Sequence, residues 1–357
     1  MTQNAIPFNQ YFDKWLYGKN GYYSEYKNIG KNGDFYTAVS TSKFFGGSIA
    51  KRVVDIIEEG FLNPDSFIVE IGAHHGYLLA DIIEFIFTLK PQLIKTLNFI
   101  IIEKHKNLRE KQKEYFYKCF GDEINLIHYN GIEDLEIDSA FIVANEIYDA
   151  FPCDLVYTNE HKKLQKAVVN KNVITFIDND DFYLQQHCDK YNITKGEVSR
   201  GYEEFSREMT KNINKFEFIT FDYGEKYPRN DFSCRVYAKH KVFPIFDKDI
   251  NLEILYENSD ITYDVNFQHI IDSFQVLGIE NINYQTQLKA LVSFGIIELL
   301  EILHQNVDEK TYLNEVNKVK TLLTPTGMGD RFKMASFRQD KSFENKKIRN
   351  NKNESNH

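Results

Sequence analysis

Apolar residues along this chain change their period repeatedly, and those changes divide it into regions. Residues 1–60 open with helical spacing, pass through a Gly-, Tyr- and Asn-rich loop around Gly18–Asp34, and return to an amphipathic helix near Lys43–Glu59. From about residue 66 short, fully apolar runs alternate with helical patterns. SFIVEIG is followed by YLLADIIEFIFTL, LNFIIIE by the charged helix KNLREKQKEYFYKCF, and INLIHYN and SAFIVANE come next. Strands apolar on both faces, each followed by a helix, predict a parallel sheet covered on both sides. After Asp149 the alternation stops. LQKAVVNKNVITFID reads as a hairpin about its Asn-Lys-Asn turn, a helix follows near Arg200–Asn212, and FEFITFDYG resumes the parallel pattern as a fifth strand. Residues 240–330 read as mainly helical, with one long helix through QLKALVSFGIIELLEIL, and RFKMASF as a closing strand.

The expectation is an α/β fold, a Rossmann-like sheet interrupted by an inserted segment. Its regions are an N-terminal helical and loop lid at 1–60 and the first half of the sheet domain at 61–150. An inserted hairpin and helix follow at 151–215, the second half with a helical substrate region at 216–337, and a disordered polar tail at 338–357.

Candidate chemistry concentrates where strands end, because ligands of open α/β sheets bind outside the carboxyl ends of the strands. The first strand hands over to its helix through Glu70-Ile71-Gly72-Ala73-His74-His75-Gly76. Glycine allows close backbone approach, and a helix start offers free N–H groups. Dinucleotide enzymes place a pyrophosphate there. The acidic Glu70 would repel phosphate and suits the ammonium of a methionine moiety, which points to S-adenosylmethionine (SAM). Glu103, ending the second strand, can accept the ribose hydroxyl protons. An ordinary αβ turn with a surface glutamate has the same local pattern. At the end of the fourth strand, Asn145, Glu146 and Asp149 suit a guanidinium or an amine. They also suit a helix N-cap followed by acids in the first turn. Asp222 is either a site carboxylate or a turn-former before Gly224, and His240 is a proton acceptor by residue type. The adjacent pair His74-His75 lacks a metal-binding partner pattern, so no metal is expected.

Composition narrows the class. The net charge of -9 disfavours a nucleic-acid binder, and no apolar run is long enough for a bilayer. Four scattered cysteines and a start without a secretory pattern point to the cytoplasm.

Taken in order, these segments resemble the MidA family of SAM-dependent methyltransferases, which includes the mitochondrial complex I assembly methyltransferase. The resemblance runs from about residue 8 to 337. It rests on Leu16-Tyr17 with Gly21-Tyr22-Tyr23, on Gly33-Asp34-Phe35-Tyr36-Thr37-Ala38, and on VEIGAHHGYLLADI, which places Glu70, Gly72, Gly76 and Asp81. ANEIYDAFP, Glu197-Val198-Ser199, FDYG with RVYAKH, DITYDVNF and Gly327-Met328-Gly329 continue the series. The resemblance implies a seven-strand methyltransferase sheet, SAM bound by Gly33, Asp34, Thr37, Glu70, Gly72, Gly76, Glu103 and Asn145, and dimethylation of an arginine on a partner protein such as a respiratory-complex subunit. Asn145, Glu146, Asp149, Asp222 and His240 would form the catalytic group. This sequence departs from the family pattern at His74, at Val39-Ser40 and at Asp264. Those departures also suit a non-catalytic assembly chaperone that binds through Tyr22-Tyr23 and Phe35-Tyr36, and methylation of a small molecule is a third reading.

Overall fold

The computed structural model describes residues 4–24, 37–238 and 241–341. They form two compact units, each assembled from separated stretches of chain. Among the described residues, one takes 4–24, 37, 146–203, 222–238 and 241–270, and the other 38–145, 204–221 and 271–341.

The second unit carries the parallel sheet. Its strands are β1 Phe67–Ile71, β2 Asn98–Ile102, β3 Leu126–Tyr129, β4 Ile137–Asn145, β5 Ile213–Glu225, β6 Glu280–Thr286 and β7 Phe332–Asp340. They lie in the order β6-β7-β5-β4-β1-β2-β3. Pairings from β5 through β3 are parallel, whereas β6 and β7 run antiparallel. The sequence reverses direction about β1, which has β4 on one side and β2 on the other, the place where a ligand crevice is expected in such sheets.

Helices α1 Phe44–Glu58, α2 Tyr77–Leu89 and α3 Lys106–Phe120 cover the sheet. Leu78, Leu79, Ile82, Ile83 and Ile86 of α2 are buried against the core, each contributing about 1.5–3 kcal/mol by leaving water. Close contact of α1 with α2 depends on glycine. A Cβ at Gly46 would lie 2.7 Å from the Asp81 Cβ, and one at Gly47 2.6 Å from the Phe85 ring.

The first unit is mainly antiparallel. A sheet runs Ile6–Pro7, Leu164–Asn170, Cys153–Thr158, Lys195–Ser199, with Val173–Asp178 paired outside this path to Leu164–Asn170. A three-stranded sheet joins Lys241–Pro244, Arg235–Ala238 and Asp260–Thr262. The expected hairpin is present, and Lys171 (φ 49°) and Asn172 (φ 58°) supply its two-residue left-handed turn. The helix Phe8–Tyr17 buries Phe8, Phe12, Trp15 and Leu16 completely, and the Trp15 indole donates to the Ser259 carbonyl at 2.7 Å.

Three expectations are corrected. Residues 1–60 do not form one body: 4–24 cluster with the first unit, in whose core the opening helix sits, and 38–60 with the second. The long helix through QLKALVSFGIIELLEIL breaks into Gln287–Ser293 and Ile296–Asn306, because Gly295 turns left-handed at φ 83°. The polar tail does not begin at 338. Arg338 lies in β7 and donates to Glu217, which is 2% exposed and also takes a two-pronged contact from Arg52. Residues 342–357 lie outside the described residues. No helix among the described residues is long and apolar enough to cross a membrane.

Candidate functional site

In the second unit, the turn after β1 is wound by three left-handed residues, Gly72 (φ 71°), His74 (φ 46°) and Gly76 (φ 78°). The departure at His74 therefore leaves the bend in place, with a histidine in a conformation that glycine adopts at less cost. The His74 ring meets His75 edge-on at 4.0 Å, and burial, reinforced by that neighbour, lowers its pKa to about 3. It is neutral in the physiological range.

Two side chains fix this turn. The Glu70 carboxylate accepts the Leu79 N–H at 3.0 Å, so it reaches from the strand to the first turn of α2. Gln112, fully buried on α3, donates to the His74 carbonyl at 2.8 Å and meets His128 Nε2 at 2.9 Å. Gln112 shows no loop motif in the sequence. Its only signal is position, a polar residue between Leu108 and Phe116 on the buried stripe of α3. Gly76 answers to packing as much as to any ligand, since a Cβ there would lie 2.9 Å from the Phe116 ring. Gly76→Ala, strained at φ 78° and crowded, should destabilise the fold by about 1–3 kcal/mol and weaken SAM binding. Denaturant titration and calorimetry check both effects, and unchanged values would remove the constraint.

The register brings the candidates together at one edge. Ile71 is paired with Ile102 on one side and Ala144 on the other, so Glu103 and Asn145 each stand one residue beyond those partners. Glu103 is 8% exposed, accepts the His105 N–H at 2.9 Å, and its backbone carbonyl receives Arg109 at 2.8 Å. Burial raises its pKa against the pull of His105 and Arg109. Glu70 is 4% exposed, and burial, with Asp81 nearby, pushes its pKa up to about 8. Among the described residues no lysine or arginine forms an ion pair with Glu70. A buried acid left for a cation to neutralise fits the ammonium and sulfonium of SAM, and Glu103 fits its ribose.

These buried acids also set a pH dependence. Carboxyl pKa values of about 8 for Glu70 and Asp222, and about 7 for Asp81 and Glu197, exceed the unfolded values near 4. The folded chain then holds more protons than the unfolded one up to pH 8, and stability falls as pH rises through these values. His74 and His128, with pKa values lowered by burial, act in the opposite sense only below about pH 6.5. The unliganded protein should therefore unfold at lower urea concentration at pH 9 than at pH 7. A higher midpoint at pH 9 would contradict the assignment.

In the first unit, the turn after Asn145 begins with Glu146 in the left-handed region at φ 54°, a strained state for a non-glycine. Asn145 itself ends β4, and the next short helical turn, Tyr148–Ala150, has Ile147 at its cap, so the N-cap alternative for Asn145 does not hold. Asp222 is wholly buried and resolves into a turn-holder. One of its oxygens accepts the N–H groups of Tyr148 (2.8 Å) and Asp149 (3.2 Å), and the other that of Tyr223 (2.8 Å). Burial and the neighbouring Glu146 raise its pKa to about 8.

Asp149, 4% exposed, has a pKa held well above the usual range by burial, then by Asp222 and Asp260. Tyr23 donates to Asp260 at 3.0 Å. The nearby cation, Arg235, is engaged by Asp264 at 2.6 Å, and Arg229 reaches the other oxygen of Asp264 at 2.7 Å. Tyr202 and Tyr263 both donate to the Tyr148 carbonyl, at 3.0 and 3.1 Å, locking the acidic turn from behind. By sequence, Asp260, Arg235, Tyr202 and Tyr263 have no place in the catalytic group, although DITYDVNF contains Asp260 and Tyr263, and Tyr23 enters there only as a partner-binding residue.

Thr37 is half-buried and clusters with the first unit, whereas Glu70, Glu103 and Asn145 belong to the second. Gly33, Asp34 and His240 lie outside the described residues, as do Phe35 and Tyr36.

Comparison with known proteins agrees with this geometry. Residues 49–285 match the family described as "Putative S-adenosyl-L-methionine-dependent methyltransferase". Among solved structures, a Burkholderia thailandensis protein bound to S-adenosyl-homocysteine superposes with TM-score 0.80 at 22% identity, over 93% of this chain and 87% of that one. A native structure of an uncharacterized protein of the same superfamily, also from Burkholderia thailandensis, gives TM-score 0.76 at 20% identity over the same shares. These two likenesses establish the fold. Since the family profile spans well over half of the sequence, the chain belongs to the SAM-dependent methyltransferase family, and SAM is its cofactor.

Proposed function

We propose that the chain methylates an arginine side chain of a partner protein, as a MidA-type enzyme acting in the cytoplasm. The observation that carries this reading is the acidic turn. Glu146, Asp149, Asp222 and Asp260 crowd together while the nearby Arg235 is already engaged by Asp264. Four such acids, three of them buried, favour a cationic, planar donor of N–H groups, and a guanidinium matches that description. Buried thiols at Cys153, Cys188 and Cys234, none in a disulfide, support a reducing compartment.

SAM supplies an electrophilic methyl on a sulfonium and leaves as the neutral thioether. The residues' part is alignment and proton handling. Glu146, half-buried at the start of the turn, accepts N–H donors of the guanidinium and takes the proton released when the nitrogen gains its methyl. Asp149 adds negative charge behind it, while Asp222 and the two tyrosines hold the turn. Glu70 and Glu103 anchor the cofactor.

Mass spectrometry of proteins from cells with and without this gene tests the reading. A dimethyl group lost from one arginine supports it. Methyl transfer to a small molecule with no protein acceptor would replace it, and absence of SAM binding by the intact protein would favour the chaperone.

A further inference from the structure

We infer that His187, Glu203 and His269 form a binding site for a divalent transition ion of the zinc type. These residues have no part in the SAM crevice or the acidic turn. They come from three helices, Phe182–Tyr191, Tyr202–Asn212 and Phe267–Gln275. Their ligand atoms, the two Nε2 nitrogens and a carboxylate oxygen, all lie within 4.8 Å of one another.

The hydrogen bonding of His187 gives this grouping its direction. His187 Nδ1 is 2.9 Å from the Tyr183 carbonyl, which can only accept, so Nδ1 carries the proton. In the neutral ring Nε2 then turns a lone pair toward Glu203 Oε1 at 3.2 Å. At that distance a cation bridges the two atoms, either a proton, which makes an ion pair of them, or a metal ion. The second histidine converges on the same oxygen, with His269 Nε2 at 2.7 Å. An imidazole donating its far N–H to a backbone carbonyl while its near nitrogen meets a carboxylate is the arrangement that orients metal-bound histidines.

Two imidazoles and one carboxylate suit zinc and its neighbours, with bonds of about 2.0–2.2 Å. Reaching them from the observed spacing takes a shift of the three side chains. The surroundings limit other motion. Tyr183 stacks on the His187 ring at 3.8 Å, and Tyr202 and Tyr191 lie 4.9 and 5.4 Å from the His269 ring. His269 is 3% exposed, whereas the Glu203 side chain is 34% exposed, which gives an ion a way in and leaves a coordination position for water. A bound ion would tie three helices that are distant in sequence.

Cobalt(II) alone, titrated into the full-length chain after chelation, is the direct probe. One equivalent should bind per chain with visible ligand-field absorption, be displaced by zinc, and raise the thermal midpoint. Glu203→Gln and His187→Gln should each weaken cobalt binding by at least about tenfold, with far-UV circular dichroism matching the chelated parent. If Glu203→Gln does not fold, His187→Gln carries the comparison. A folded parent that binds no more cobalt than His187→Gln overturns the site.

Discussion

Replacing Glu146 by glutamine should lower methyl transfer by about 10²–10⁴-fold, the usual contribution of a positioned proton acceptor, while SAM affinity stays the same. The substitution keeps the length and shape of the side chain and removes its charge and basicity. Backbone strain is unaltered, because glutamine is no easier than glutamate at φ 54°. Glu146→Gly is the informative companion. It should stabilise the protein by up to about 1 kcal/mol by relieving that strain, yet transfer no better than the glutamine variant. Radiolabelled SAM with a lysate of cells lacking the gene as acceptor pool gives the rate, and calorimetry gives the affinity. Wild-type rates in the glutamine variant would end the role assigned to Glu146. A parallel loss of SAM binding would instead move that residue to the cofactor.

The second large effect concerns Asp222 and is structural. Alanine there removes the acceptor of three backbone N–H groups, those of Tyr148, Asp149 and Tyr223, in a wholly buried place. Unsatisfied buried donors cost about 1–3 kcal/mol each before water enters. The alanine variant should therefore lose about 3–5 kcal/mol in urea unfolding and transfer activity with it. Asparagine keeps one acceptor oxygen and should fall between alanine and the parent. If Asp222→Ala unfolds like the parent while activity vanishes, then Asp222 acts on the substrate and not on the turn.

Strand content was legible because FIVEI, NFIII and IDSAFIVAN are apolar on both faces, which a buried parallel strand requires and a surface strand does not. The Gly72–Gly76 turn and the acid at the end of β2 could be read for the same reason, as punctuation after such runs. What those acids face was not legible. Glu70 spends one oxygen on Leu79, nine residues on, and Asp222 spends both on residues up to 74 positions away, contacts that need the folded register. The antiparallel unit was harder still. It draws Ile6–Pro7 into a sheet with Leu164–Asn170, a pairing of two residues that no periodicity announces. Likewise His187 and His269 look like ordinary helix positions until three helices converge on Glu203.

The interleaved build of the two units bears on synthesis and breakdown. The chain leaves one unit for the other at 37/38, 145/146, 203/204, 221/222 and 270/271, so neither is an uninterrupted stretch of message. Strand β7, the last described strand in the sequence, takes its place between β5 and β6. A nascent chain released before residue 332 would expose the flanks of both neighbours and lack Arg338, one of the two arginines that meet Glu217. The first unit has all of its segments once residue 270 is made, whereas the second waits for β7, and truncations between 271 and 331 should yield protein cleared by proteases.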